Sequence, residues 1–147
     1  TEKSVHGIGH NESSNGKTGV ECRNVIRRHH FEIIAHLAKK LKAVPEGDGT
    51  MFDNTMVFYF PDNGETHHSH GIEWPFIVLS GRNCRLDIAG KYIRLPNYGE
   101  EGHRTLGNWY TSILNAYGNP VPHYGAIDTG LSKYGIDQMG AIPQFFG

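Results

Sequence analysis

Two short, unbroken apolar runs limit the folds that this chain can adopt. Residues 55–60 read Thr-Met-Val-Phe-Tyr-Phe, and residues 75–79 read Pro-Phe-Ile-Val-Leu. Polar and turn-forming residues bound both runs, a pattern typical of strands that are covered on both faces in a parallel sheet. The runs therefore predict two buried strands in a layered α/β fold.

Two predicted helices complete this arrangement. Apolar residues recur at helical spacing over residues 24–42 and over residues 105–117, and Gly118 and Pro120 follow the second helix. Shorter strands are expected near residues 84–88 and 92–95. Residues 1–20 are expected to form a loop, and residues 119–147 an irregular tail. Because open α/β sheets bind ligands beyond the carboxyl ends of their strands, a functional site is expected directly after residue 60.

The composition argues against two classes of function, nucleic-acid binding and membrane spanning. The chain has 147 residues, of which 37% are hydrophobic and 20% are charged, as in globular proteins. Its 14 Lys and Arg residues against 15 Asp and Glu residues give no general attraction to nucleic acid, so no nucleic-acid partner is expected. No apolar run approaches the roughly 20 residues of a membrane span. The 10 histidines are unusual, because histidine is the commonest metal ligand and a frequent acid/base residue.

The densest group of potential ligands follows the first apolar run. Residues 62–70 read D-N-G-E-T-H-H-S-H. Zinc and similar divalent ions accept carboxylate oxygen and imidazole nitrogen together, so the segment predicts a metal-binding or catalytic role. The candidate ligands are Asp62, Asn63, His67, His68 and His70. The alternative is a solvated polar loop that happens to be rich in histidine.

A second pair of histidines, His6 and His10, lies in the glycine-rich segment V-H-G-I-G-H-N. Their four-residue spacing puts both rings on one side if the segment turns helically, and the glycines allow the backbone to approach a ligand closely. The segment lacks the Glu of an H-E-x-x-H zinc-protease helix, and its glycines oppose a helix. A loop without a functional role is the alternative.

Other histidines and the two cysteines point to no particular chemistry. His29, His30 and His36 fall within the first predicted helix, where a packed or surface position is expected. Cys22 and Cys84 could pair if the protein is exported, or could remain two buried thiols.

Together these segments resemble the alkaline-phosphatase superfamily, which includes sulfatases and nucleotide phosphodiesterases. The segment H-G-I-G-H at residues 6–10 resembles the superfamily's metal-binding D-x-x-G-H loop, with His6 in place of Asp. Residues 53–64, followed by H-G at 70–71 and P-F-I-V at 75–78, resemble the sulfatase phrase D-N-T-L-V-I-F-T-S-D-N-G…H-G…P-L-I-V. More closely, most of the chain is similar to a bacterial family named for an H-x-x-S-H-H signature, of which residues 6–11 carry a variant.

The resemblance implies a fold, a metal and a location. Residues 1–147 would be the carboxy-terminal portion of an alkaline-phosphatase-like layered sandwich with a mostly parallel sheet, forming a single, incomplete metal-binding domain. A divalent metal, zinc first and calcium second, would be held by His6, His10, Asp62 and one of His67, His68 and His70. Asn63 would orient an ester. Export to the periplasm or the cell exterior is also implied.

Two functions follow from these expectations. The first is metal-dependent hydrolysis of a phosphate or sulfate ester, with the nucleophile supplied by a missing amino-terminal half. The second is a non-catalytic, metal-binding component of an exported surface or filament assembly. A domain that keeps the fold without the metal is a third possibility. Because the apolar strands need cover on both faces, the chain is expected to pair with the missing half, with another chain or with itself.

Overall fold

The computed structural model describes residues 2–61 and 74–147, which form two compact units. Unit 1 comprises the described residues up to Asn54 together with residues 60, 61, 74 and 75. Unit 2 comprises Thr55–Tyr59 and Phe76–Gly147. Each unit has its own buried apolar side chains.

Unit 1 is built on one long helix. Helix α1 (Val5–Gly9) is short, whereas helix α2 (Gly19–Lys42) extends over 24 residues and confirms the helix predicted from residue 24. Thr18 begins α2 with a capping box. Its hydroxyl accepts from the Glu21 N–H at 3.3 Å, and the Glu21 carboxylate accepts from the Thr18 N–H at 2.8 Å. Neither α2 nor any other helix of the described ranges is long and apolar enough to span a membrane.

A hairpin and a 3-10 helix follow α2. Strands β1 (Pro45–Glu46) and β2 (Gly49–Thr50) pair antiparallel, and the 3-10 helix covers Met51–Asn54. The Asp53 carboxylate accepts from the Thr50 N–H at 2.7 Å. This bond links the end of β2 to the 3-10 helix that follows it.

The sheet of unit 2 is a pair of antiparallel strands. Strands β3 (Met56–Tyr59) and β4 (Ile77–Ser80) lie where the apolar runs predicted them, with Met56 opposite Ser80 and Tyr59 opposite Ile77. The predicted α/β class, an alkaline-phosphatase-like layered sandwich with a mostly parallel sheet, is therefore wrong. The described residues form two two-stranded antiparallel sheets beside helices.

An unbroken apolar run does not determine how its strand pairs with other strands. Phe58 and Val78 pack against the core of unit 2, where the Phe58 ring lies 5.6 Å from the Trp109 ring. Alternate residues face the other side of the sheet, and Ile77 on that side is 45% exposed. Apolar residues on both faces thus specify neither the direction of strand pairing nor the number of strands.

Helix α3 (Leu106–Ala116) contributes Trp109 and Ala116 to the core of unit 2 and confirms the second predicted helix. Thr105 and Asn108 form its capping box, and Gly118 follows its end with a positive φ of 86°. The Trp109 ring stacks on Phe76 with centroids 4.0 Å apart. Trp109 belongs to the buried core cluster, which consists of Leu86, Ile88, Trp109, Ala116, Ile142 and Phe145.

The two shorter predicted strands are absent from the described structure. Residues 84–88 form a bend followed by a turn, and residues 92–95 are irregular. Leu86 and Ile88 are nevertheless buried, and Leu95 packs against the same core. The apolar residues of these segments therefore indicated burial, and burial does not require strand pairing.

The tail is held against α3 and contains two short helical segments. Helix α4 (Thr129–Ser132) and a 3-10 helix (Pro143–Phe145) interrupt the irregular chain. The buried side-chain amide of Asn108 donates to the Gly140 carbonyl at 2.9 Å. Buried polar groups need such partners, so this bond helps to define the path of a tail that is rich in glycine and proline.

Candidate metal centre

His6 lies on α1 and His10 is the residue that caps its end, within the segment that was expected to be a loop. Ser4 begins the helix, since its hydroxyl accepts from the Gly7 N–H at 3.1 Å. The His10 N–H donates to the His6 carbonyl at 3.2 Å, and Asn11 then takes a positive φ of 66°. One turn of helix thus forms in spite of two glycines, because local hydrogen bonds satisfy its backbone groups.

Helix α1 is anchored on α2. Ile8 is fully buried, and the Arg23 guanidinium donates to the Ile8 carbonyl at 2.9 Å. Gly19 allows a close approach, because a Cβ at this position would lie 2.5 Å from the Asn11 Cα. Hydrophobic periodicity does not predict these roles of Arg23 and Gly19, because both residues contact backbone atoms that are distant from them in sequence.

The His6 and His10 rings meet on the surface of unit 1. Their centroids lie 4.9 Å apart, their planes are inclined at 74°, and both residues are exposed. A tetrahedral zinc ion about 2 Å from one nitrogen of each ring would place the centroids about 5 Å apart. The observed spacing is compatible with two nitrogen ligands of a single metal ion, and it is also the usual spacing of two rings in edge-to-face contact.

The other predicted ligands, Asp62, Asn63, His67, His68 and His70, lie outside the described residues. Their convergence with His6 and His10 stays a prediction. Within residues 2–61 and 74–147, no group of three or more His, Cys, Asp or Glu side chains is placed to hold a metal ion. A metal at the histidine pair consequently needs further ligands from residues 62–73, from water or from another chain.

The residues on either side of this segment belong to the same unit as the histidine pair. The Trp74 indole N–H donates to the Pro61 carbonyl at 2.9 Å. This bond joins the last described residue before the segment to the first described residue after it. The two described residues that flank the histidine-rich segment are therefore in direct contact within unit 1.

The remaining described histidines occupy different environments. Three of them are exposed on α2: His29, His30 and His36. In unit 2, Nδ1 of His123 lies 3.2 Å from the Gly125 carbonyl oxygen, while Nδ1 of His103 is buried and has no hydrogen-bond partner among the described residues. Sequence spacing assigns no role to His103 or His123, and neither lies in the unit of His6 and His10.

Both cysteines are free thiols. The Cys22 thiol is buried in unit 1 and lies 3.7 Å from the Ser14 carbonyl oxygen. The Cys84 thiol is half-buried in unit 2 and donates to the Thr55 carbonyl at 3.4 Å. The spacing of the two cysteines left open a disulfide or two thiols. The structure has two thiols.

Comparison with known proteins identifies no relative. No family profile, curated protein or solved structure matches this chain. The resemblance to the H-x-x-S-H-H family and to the alkaline-phosphatase superfamily therefore depends on the quoted segments alone. Function has to be argued from the residues of the site.

Proposed function

We propose that this chain binds a divalent metal ion, zinc first, through His6 and His10. The spacing of the two imidazole rings, with centroids 4.9 Å apart, supports this proposal. Imidazole nitrogen is a preferred ligand of zinc, whereas calcium takes oxygen ligands. Calcium, the second choice, would therefore depend on the side chains of Asp62 and Asn63.

Asp62 and one of the histidines at 67, 68 and 70 would complete the coordination. One carboxylate and three imidazoles satisfy the four-coordinate geometry of zinc. The position of Pro61 and Trp74 supports this assignment, because these flanking residues are bonded to each other in the unit that contains His6 and His10.

The chemistry of a bound metal would be to polarise a phosphate or sulfate ester and stabilise its leaving oxygen. Asn63 would orient the ester. Hydrolysis also needs a nucleophile, which the resemblance assigns to a residue upstream of His6. We therefore propose metal binding for this chain and ester hydrolysis for a protein that also supplies the nucleophile. A non-catalytic component of an exported surface or filament assembly is the alternative, and it would use the same metal site.

Zinc titration by calorimetry, with elemental analysis of protein purified without chelator, tests the metal site. One bound zinc per chain is expected. His6→Ala and His10→Ala should each weaken zinc binding about a hundredfold, or roughly 2.7 kcal/mol, because each removes one ligand. His29→Ala and His36→Ala are matched controls, since both remove exposed histidines from α2.

Two outcomes would contradict the metal proposal. The first is metal below about a tenth of an equivalent in the purified protein together with no zinc binding in the titration. The second is zinc binding that His29→Ala and His36→Ala weaken as much as His6→Ala and His10→Ala do. An Asp62→Asn variant extends the test to the segment outside the described residues, and unchanged zinc affinity in it would remove Asp62 from the ligand set.

We also propose that the chain works with a partner, either another chain, such as an amino-terminal half, or a second copy. Large apolar side chains on α2 support this, because Ile33 is 55% exposed and Leu37 is 44% exposed. Analytical ultracentrifugation at micromolar concentration is the test. A concentration-dependent rise in mass is expected for self-association. A stable monomer that unfolds cooperatively would contradict the need for any partner.

A further inference from the structure

An exposed ridge runs along the middle of α2. Residues four apart lie one above the next on a helix, and four such residues are exposed here: Val25, His29, Ile33 and Leu37. The three apolar members are 56%, 55% and 44% exposed, in chain order. Rows of this kind pack into the grooves of a neighbouring helix. The ridge is about 18 Å long, so it can accommodate about three turns of a partner helix.

A polar row borders the ridge. Each of its members follows a ridge residue by three positions, and all are exposed: Arg28, Glu32, His36 and Lys40. The Glu32 carboxylate lies 3.8 Å from Nδ1 of His29. Within residues 2–61 and 74–147, the side chains of Arg28 and Lys40 form no ion pair or hydrogen bond. Both cations can therefore pair with carboxylates of a partner.

Helix α2 as a whole is basic. It contains six Lys and Arg residues against two carboxylates, Glu21 and Glu32, although the chain has a net charge of −1. Glu21 accepts from the Thr18 N–H at 2.8 Å in the capping box, so its carboxylate is already engaged. This concentration of positive charge on one exposed helix favours a partner with negative charge.

Two other occupants fit the ridge less well. In an antiparallel pair of α2 helices centred on Ile33, Arg28 of one copy would approach Lys40 of the other, and like charges oppose association. Helices that lie on a membrane surface have a wide apolar face with aromatic anchors. The α2 ridge is one side chain wide, and the carboxylate of Glu32 borders it.

We propose that the α2 ridge binds an acidic, amphipathic helix of another protein chain. This inference rests on the proposed need for a partner and specifies the kind of partner. Apolar side chains of the partner helix would cover Ile33 and Leu37. Carboxylates about 18 Å apart on the partner would pair with Arg28 and Lys40, which have the same separation along α2.

Fluorescence anisotropy with two synthetic helical peptides tests the proposal. Both peptides present leucines on one face, and the flanking positions are glutamate in the first peptide and lysine in the second. The full chain should bind the glutamate peptide at least about tenfold more tightly than the lysine peptide. Raising the salt concentration from about 0.05 M to about 0.5 M should weaken binding of the glutamate peptide, because its charge pairs are exposed.

Two pairs of matched variants locate the binding on the ridge. Arg28→Gln should weaken binding of the glutamate peptide about fivefold, whereas Arg27→Gln, which removes an exposed arginine outside both rows, should not. Ile33→Ala should weaken it about tenfold, whereas Val20→Ala, at a comparably exposed position outside the ridge, should not. All four side chains are exposed, so each variant should fold. The comparison of the two peptides on the wild-type chain decides the proposal in any case.

Three results would overturn the proposal. The first is no binding of the glutamate peptide, or equal binding of both peptides. The second is an affinity for the glutamate peptide that Arg28→Gln and Ile33→Ala leave unchanged. The third is binding to vesicles of phosphatidylcholine and phosphatidylserine, but not to the glutamate peptide, that Ile33→Ala weakens. That last result would assign the ridge to a lipid surface.

Sedimentation of the same samples separates this inference from the proposed need for a partner. Self-association without binding of the glutamate peptide would support that need and overturn the acidic helix as the partner. A monomer that unfolds cooperatively and still binds the glutamate peptide through the ridge would support the acidic helix and contradict the need.

Discussion

Arg23 and Gly19 hold α1 against α2 through contacts with backbone that is distant in sequence. Arg23 donates to the Ile8 carbonyl, and Gly19 leaves room for the backbone at Asn11. The proximity of the His6 and His10 rings, in contrast, follows from their spacing, because four residues correspond to about one helical turn. Prediction at the scale of single residues therefore works for local pairs and misses contacts that the tertiary fold creates.

Gly19→Ala tests whether this close approach fixes α1. A methyl group would lie 2.5 Å from Cα and 2.6 Å from the carbonyl carbon of Asn11, and backbone atoms cannot rotate away as a side chain can. Overpacking of this kind lowers the free energy of unfolding by about 1–3 kcal/mol. Helix propensity alone predicts a gain of up to about 1 kcal/mol, so the two effects have opposite signs.

Urea unfolding followed by far-UV circular dichroism measures the effect of Gly19→Ala. Val20→Ala is the matched control. Val20 is the next residue along the chain and is 54% exposed, so its truncation should change the free energy of unfolding little. Increased stability in the Gly19→Ala variant would show that α1 does not pack against α2 as described.

Helices and strands were predictable as elements, but the pairing of the strands was not. Helical periodicity is a local signal, so α3 and most of α2 lie where they were predicted. Helix α2 begins at Gly19, five residues before its predicted start, because the prediction did not use the capping sequence of Thr18 and Glu21. The apolar runs also located β3 and β4 correctly. Their antiparallel pairing depends on the path of the chain between them, about which neither run carries information.

The capping box of α2 makes a pH-dependent contribution to stability. Hydrogen bonds from the Thr18 backbone N–H, then from its hydroxyl, lower the pKa of Glu21 below 4.5 in the folded chain. A lowered pKa stabilises the folded state above the unfolded pKa, and this stabilisation is lost as the pH falls through the folded pKa. Thermal unfolding should therefore show that the stability difference between wild type and Glu21→Gln shrinks as the pH is lowered below 4.5.

Thr18→Ala provides the complementary change, because it removes the hydroxyl that caps α2. A loss of about 1 kcal/mol is expected at neutral pH. The pH dependence attributed to Glu21 should weaken without vanishing in this variant, since the backbone N–H at position 18 still donates. A pH dependence that is identical in wild type, Thr18→Ala and Glu21→Gln would show that the capping box has no part in it.

The two units bury apolar side chains unequally. The buried apolar side chains described in unit 1 are Ile8, Cys22 and Ala38. Those in unit 2 are Leu86, Ile88, Trp109, Ala116, Ile136, Ile142 and Phe145. Composition shows that the chain has enough apolar residues for a core, but it does not tell which segments share one. The partition into units thus depends on tertiary contacts, as the sheet pairing does.

Unequal burial predicts that α2 opens at a lower free energy than α3. Hydrophobic stabilisation scales with the apolar area removed from water, and α2 has few buried side chains along its 24 residues. Hydrogen exchange with mass spectrometry at increasing urea concentration measures both openings in one sample. Amides of α2 should exchange through a smaller opening with a weaker urea dependence, whereas amides of α3 should require the largest opening.

Leu86→Ala, which removes a core side chain of unit 2, should lower the protection of α3 and leave the opening of α2 unchanged. Equal opening free energies and equal urea dependences for α2 and α3 would instead mean that the whole chain unfolds as one cooperative body.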